Sequence, residues 1–360
     1  MCSVTAALTS TDHCLRWTDE LPHPMPSTEE FIMPAEWAPH SCCWMAWPCR
    51  PGLWSDEKST AQEYADVANA IARFEPVRML APSHKVAEVR VLLGTNTEVI
   101  EVPIDDSWAR DSGPNFLLNA AGELAGSCWT FNAWGNKYDP YDQDAKMGSR
   151  ILQLAGAKAF SSPLVAEGGG ITVDGEGTVI TTETCFLNSN RNPGWTKAEV
   201  EAELCRTLGT EKVIWLPGDP QDDETDGHVA GIVAFIGPGR VLMEVNPDET
   251  DPHYPVTQKN LEALTGQTDA RGRTIEIEYI DEGYYHPPEL WNGGCSSYVN
   301  AYFANGAVIV PGYGYDRDAQ AMETWQRLFP DREVVQVYIG NIALGGGGVH
   351  CITQQQPAIR

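Results

Sequence analysis

The chain has 360 residues, 42% apolar and 21% charged, with 12 Trp, 12 Tyr and 9 Phe, a composition that fills a large core and excludes a disordered polymer. A formal net charge of −26 and a pI near 4.5 argue against nucleic acid as a partner, because phosphates demand clustered Lys and Arg, and favour a cationic one. No apolar run approaches the ~18 residues that a bilayer-spanning helix requires.

In chain order, residues 1–30 are polar, Pro-containing and aperiodic, and are expected to form a flexible leader. The opening M-C-S-V-T-A-A-L lacks the basic region and sustained apolar stretch of a secretory signal. Residues 31–360 are expected to fold as one catalytic domain. A helix is predicted over 60–72, a strand over 77–80, a helix over 85–93 and a strand over 97–102. Further on, strands are predicted at 178–181, 213–216, 232–236, 307–310 and 334–339, with helices at 196–208, 255–265 and 316–328. This interleaving places the chain in the α/β class. Ten cysteines, with neither a C-x-x-C pair nor a dense small-domain framework, are read as reduced thiols of a cytoplasmic protein.

Polar or Gly-rich loops recur among these elements at intervals of 53 to 70 residues. They are W-A-R-D ending at Asp111, E-G-G-G beginning at Glu167, D-G-H around His228, C-S-S-Y-V-N around Tyr298, and G-G-G-G-V-H-C ending at Cys351. Five units, each sending one loop to a shared centre, account for that regularity and suggest a radial architecture.

Each loop carries residue types suited to one chemistry. Cys351, set after four glycines, is a candidate nucleophile, although a cysteine behind a loop is as often a small buried hydrophobe. His228 follows a glycine among carboxylates able to raise its pKa towards a useful acid/base range. Trp108 offers a flat face to a cation, and Asp111 can accept two hydrogen bonds from a guanidinium. Glu167 precedes flexible glycines that could aim it into a pocket or leave it on a bulge facing water. The stretch D-G-E-G-T at 174–178 reads as a hairpin turn. Residues 221–229, Q-D-D-E-T-D-G-H-V, begin like a calcium loop, but Val233 stands where its closing Glu belongs. With no H-E-x-x-H, no paired C-x-x-C and no phosphate loop, neither a metal nor a cofactor is expected, which leaves covalent catalysis without one.

Taken together, these residues identify a resemblance. The chain is similar to the agmatine deiminase and bacterial-type peptidylarginine deiminase family of guanidine-modifying enzymes. The similarity is carried by M-P-A-E-W at 33–37, D-D-S-W-A-R-D at 105–111, F-N-A-W-G at 131–135, E-G-G at 167–169, L-N-S-N-R-N at 187–192, D-G-H-V at 226–229 and G-G-G-V-H-C-I-T-Q-Q at 346–355. It implies a five-bladed α/β propeller (pentein) of ββαβ units around a central active-site channel. It implies Cys351 as nucleophile, His228 as general acid/base and Asp111 as the carboxylate gripping a guanidinium. Trp108, Glu167, Asp226 and the position of Ala230 are expected around a small cationic guanidine substrate. A homo-oligomer is compatible with the sequence.

One position departs from the family pattern D-G-H-V-D: this chain has Ala230 where a second guanidinium-binding carboxylate is expected. Three consequences follow as alternatives. The substrate is another guanidine, such as a peptidyl or natural-product arginine, held with help from Glu224 or Asp226. The substitution inactivates and traps substrate. Or the protein binds guanidines without turnover. Amidino transfer to an amine instead of water is a further alternative.

Overall fold

The computed structural model describes residues 23–24, 31–283 and 295–359. Almost all of the expected leader lies outside these residues.

One pattern recurs along the chain: a strand antiparallel to a second, then a helix, then a third strand parallel to the second. It is built by Asn115–Asn119, Leu124–Thr130, the helix Met147–Ala155 and Lys158–Val165. Ile171–Val173, Thr178–Thr182, the helix Lys197–Leu208 and Lys212–Leu216 repeat it. So do Val233–Gly237, Arg240–Val245, the helix Tyr254–Leu264 and Glu276–Asp281. The next unit is Tyr302–Ala304, Ala307–Gly312, the helix Asp318–Leu328 and Glu333–Tyr338. The fifth joins the two ends of the chain: the C-terminal strand Thr353–Pro357 pairs with His40–Ala46, which leads through the helix Glu57–Ala72 to the parallel strand Val77–Ala81. Five sheets thus answer the five loops of the sequence, in an α/β ring of ββαβ units.

The middle strand of a unit is covered on both faces, so it reads as a continuous apolar run: Ala307–Gly312 is buried at every position. Helix ends are locally encoded. Asp56 accepts the Ser59 N–H at 3.0 Å, Thr196 and Glu199 form a reciprocal cap, and Gly209 ends that helix at φ 66°. Asp174 accepts the N–H groups of Glu176 and Thr178, each at 2.8 Å, while Gly175 and Gly177 take positive φ, so the 174–178 stretch is the expected hairpin turn.

Two pairs of neighbouring units are tied at or beside their first strands. The Phe235 N–H donates to Thr172 Oγ1 at 3.1 Å, and Gln354 Nε2 donates to the Pro114 carbonyl at 2.6 Å. Of these inner strands, Ile171–Val173, Tyr302–Ala304 and Thr353–Pro357 went unpredicted, the first two being three residues long and the third polar, whereas Val233–Gly237 answers the strand expected over 232–236. Thr353–Pro357, T-Q-Q-Q-P, is buried throughout, with Gln354 Oε1 accepting from Arg110 and Gln356 Oε1 from Trp44.

Candidate active site

Cys351 is delivered by the glycine run as expected, though mainly through close approach. Gly346 alone of the run has positive φ, 98°. At Gly347 a Cβ would stand 2.2 Å from the Trp108 ring, so no larger residue lets the thiol pass under that indole. The Cys351 side chain is buried, with its Sγ 3.3 Å from Asn300 Nδ2. Asn300 is itself fixed at both ends: Nδ2 donates to the Ala230 carbonyl at 3.2 Å, and Oδ1 accepts the His350 N–H at 2.9 Å. Burial, followed by the negative charge of Asp111, pushes the Cys351 thiol up, while a Gly348 N–H, Asn300 and His228 act the other way.

Asp111 sits on the one-turn helix Ala109–Ser112, and its buried carboxylate is held by two donors. Trp134 Nε1 reaches Oδ2 at 2.9 Å, and the Gly169 N–H reaches Oδ1 at 2.8 Å. The Trp134 donor depends on an unusual turn, in which Ala133, Trp134 and Asn136 take left-handed φ of 54°, 55° and 61°. Such conformations cost about 1–3 kcal/mol each and persist where the surroundings enforce them.

His228 Nδ1 lies 3.9 Å from Asp111 Oδ1, and Nε2 lies 3.3 Å from Glu167 Oε2. Gly169 makes this proximity feasible, since a Cβ there would stand 2.6 Å from His228 Nδ1 and 2.8 Å from Asp111 Oδ1. Burial opposes a charged imidazole, yet Asp111, Cys185 and Glu167 outweigh it and hold the His228 pKa well above its usual value. Behind the ring, Glu167 and Arg191 form a fully buried ion pair, Nε to Oε1 at 2.7 Å. Although burial works the other way, His228 and Arg191 keep the Glu167 carboxyl below its usual range.

Cys351 and Asp111 open onto a pocket of about 310 Å³, walled by Trp108, Trp134 and Tyr138 and carrying a second acid, Glu224. Glu224 accepts from Tyr138 Oη at 2.7 Å. Cys351, Asp111 and Trp108 therefore meet as the sequence suggested, with His228 beside them. Glu167 does not line the pocket: it is spent on Arg191 and His228. Asp226 is likewise engaged elsewhere, with its Oδ2 2.9 Å from Lys137 Nζ and 2.8 Å from Arg191 Nη1, so it faces cations of the protein and not the pocket. Ala230 brings no charge; its carbonyl anchors Asn300. The acidic loop before His228 is a turn scaffold, in which Asp222 accepts the N–H groups of Glu224, Thr225 and Gly227.

Three residues were missed in the sequence: Trp134, Asn300 and Arg191. Each lay inside a motif already singled out, at 131–135, around Tyr298 and at 187–192. Only tertiary contacts show what their side chains reach. Among the described residues, one group offers metal-ligand atoms close together, Glu167, Cys185 and His228, all within 4.8 Å of one another.

Comparison with known proteins places the chain in one family. The profile of the Porphyromonas-type peptidyl-arginine deiminase family matches residues 32–357. An agmatine deiminase of Pseudomonas fluorescens is 41% identical over 362 residues, covering 93% of this chain and 98% of its own. One from Pseudomonas aeruginosa is 40% identical over 365 residues, covering 94% and 99%. The structure of Enterococcus faecalis agmatine deiminase superposes with a TM-score of 0.90 at 34% identity, covering 94% of this chain and 100% of that one.

Proposed function

Because the chain belongs to the Porphyromonas-type peptidyl-arginine deiminase family, we propose that it is a guanidine deiminase acting on agmatine, a hydrolase of linear amidines that releases N-carbamoylputrescine and ammonia. The observation that carries this reading is that a buried thiol, Cys351, and a buried carboxylate, Asp111, face one aromatic-walled pocket with the His228 imidazole against the carboxylate.

A guanidinium carbon is a poor electrophile because its charge is delocalised, so the group must be held while sulfur attacks. Asp111, oriented by Trp134 and Gly169, grips the cation over Cys351. The substrate's own charge, arriving beside a thiol that burial and Asp111 keep protonated, lowers its pKa, and the proton passes to solvent to leave the thiolate. Sulfur adds to the guanidinium carbon. His228, held in its charged form, then passes a proton to the departing nitrogen, which leaves as ammonia, and a thiouronium remains on Cys351. Neutral His228 next takes a proton from water, whose oxygen attacks the same carbon and expels the Cys351 thiolate with the ureido product. Asn300 steadies the sulfur throughout. At the far end of the substrate, Glu224 offers a counter-charge to the ammonium of agmatine.

Eight described cysteines are free thiols, which supports a cytoplasmic site of action. The test is incubation with agmatine: equal amounts of ammonia and ureido product, both absent for Cys351→Ser, support the reading. Turnover that depends on an added amine and gives no ureido product would mean amidino transfer instead.

A further inference from the structure

We propose that Glu167, Cys185 and His228 form a binding site for a thiophilic divalent cation such as Zn²⁺, and that filling this site switches hydrolysis off. The second half rests on the deiminase reading above; the first half does not.

The donor set comes from separate places in the chain. Glu167 precedes the strand Ile171–Val173, Cys185 lies on the short helix Glu183–Phe186, and His228 ends the acidic turn. All three are buried, at 0%, 1% and 6% exposure. His228 Nε2 is 3.3 Å from Glu167 Oε2, and Cys185 Sγ is 3.9 Å from that same oxygen. With Zn–N and Zn–O bonds of about 2.0 Å and Zn–S of about 2.3 Å, a tetrahedral ion sets those two edges at about 3.3 and about 3.5 Å. The nitrogen and oxygen already stand at ligand spacing, the sulfur needs to approach the oxygen by a few tenths of an ångström, and its distance to the nitrogen is within 4.8 Å.

The surroundings suit a cation. Arg191 bonds to the other oxygen, Oε1, and so orients Glu167 with Oε2 towards the ring and the thiol, as an outer hydrogen bond does for a ligating carboxylate. Its positive charge is answered by Asp226 as well as by Glu167. The groups against the Cys185 sulfur are the other two donors of the set, Glu167 Oε2 at 3.9 Å and the His228 ring, so its proton leaves towards the place an ion would take.

Binding replaces two protons, one on Cys185 sulfur and one on His228 Nε2, and changes no oxidation state. The functional result follows from imidazole chemistry. A ring with metal on Nε2 keeps its remaining proton on Nδ1 and has no lone pair left there, so His228 can no longer accept a proton from water. Turnover stops although Cys351 and Asp111 are untouched.

The test uses full-length, metal-stripped protein titrated with ZnCl₂ alone, with binding read by competition against a chromogenic chelator and turnover read by ammonia release. The account expects binding in the micromolar range or tighter, a loss of at least about tenfold in turnover at saturation, and recovery on adding chelator. Cys185→Ser should weaken binding by at least about tenfold, and whatever turnover it retains should resist ZnCl₂, while Cys351→Ser should bind as the wild type does. Co²⁺ in place of Zn²⁺ should give a sulfur-to-metal absorption band that Cys185→Ser lacks, which reports ligation independently of activity. Equal affinity in Cys185→Ser, or loss of binding in Cys351→Ser, would overturn the proposal. Cys185-dependent binding by a protein that releases no ammonia from agmatine would uphold the site and overturn only the deiminase reading.

Discussion

The main-chain N–H of Arg110 donates to the carbonyl of Cys351 at 3.1 Å, so the loop bearing the acid of the site and the loop bearing its thiol are fastened directly to each other. The Arg110 side chain adds a second tie, with Nε donating to the His350 carbonyl at 3.3 Å and Nη1 to Gln354 Oε1 at 2.7 Å. Glu36 completes this support through His350 Nε2 at 2.8 Å. The nucleophile and the carboxylate that must hold its target are thus positioned before substrate arrives.

Glu36 is the first place to test that support. Burial alone would raise its carboxyl, but His350 and Arg110 lower it from 4.5 to about 2. A depressed folded-state pKa means that its contribution to stability is complete above about pH 4.5 and is lost as the pH falls towards 2. Glu36→Gln should therefore lose about 1–3 kcal/mol near neutral pH, where burial and Arg110 hold His350 below its usual pKa and Arg110 is the cation facing Glu36, with the gap to wild type closing in acid, as measured by denaturant titrations across pH. A gap independent of pH would deny the ionic origin.

Ala230 leaves the guanidinium with one carboxylate where the family pattern places two. Ala230→Asp should raise agmatine turnover roughly tenfold, equivalent to ~1.4 kcal/mol in the barrier. An unchanged or lower rate would show that the pocket is built for a different guanidine.

Trp134→Phe keeps the aromatic wall but removes the N–H on Asp111 Oδ2. Leaving a buried acceptor unsatisfied costs about 1–3 kcal/mol, so kcat/KM should fall by roughly tenfold or more. A wild-type value would mean that Asp111 is oriented by Gly169 alone.

Asp111 raises the Cys351 thiol pKa in the free protein, second only to burial, while serving the bound substrate. Asp111→Asn should therefore have opposite effects on two readouts. Agmatine turnover should fall by at least about a hundredfold, while alkylation of Cys351 by neutral iodoacetamide at pH 7, followed by peptide mass spectrometry, should become severalfold faster. In the wild type that alkylation should accelerate as pH rises above 7. Parallel losses in both readouts would point to a collapsed site.

Much of this was legible in the sequence, and the exceptions share a cause. The helices Glu57–Ala72 and Lys197–Leu208 announce themselves through apolar spacing and caps, and the strands Thr178–Thr182, Val233–Gly237 and Ala307–Gly312 through short apolar runs. Others do not: Ile171–Val173 and Tyr302–Ala304 are too brief to show a period, and Thr353–Pro357 is polar because Gln354 and Gln356 bond to Arg110 and Trp44. Cys351, His228 and Asp111 could be singled out because each residue type is reactive in itself. Trp134, Asn300 and Arg191 act through what they touch, and that follows only from which loops the ring brings together. Asp226, one residue from the D-G-H glycine, looked like a substrate acid and is a partner for Lys137 and Arg191.

The central claim is that Cys351 becomes covalently bonded to the guanidine carbon during turnover. Mass spectrometry of protein mixed with agmatine and quenched in acid within the first turnovers tests it most directly. The account predicts an added mass equal to agmatine less ammonia, an alkylthiouronium, on the peptide containing Cys351, formed as ammonia is released and absent in Cys351→Ser. Ammonia release at the wild-type rate from Cys351→Ser, or an adduct on another cysteine, would contradict it.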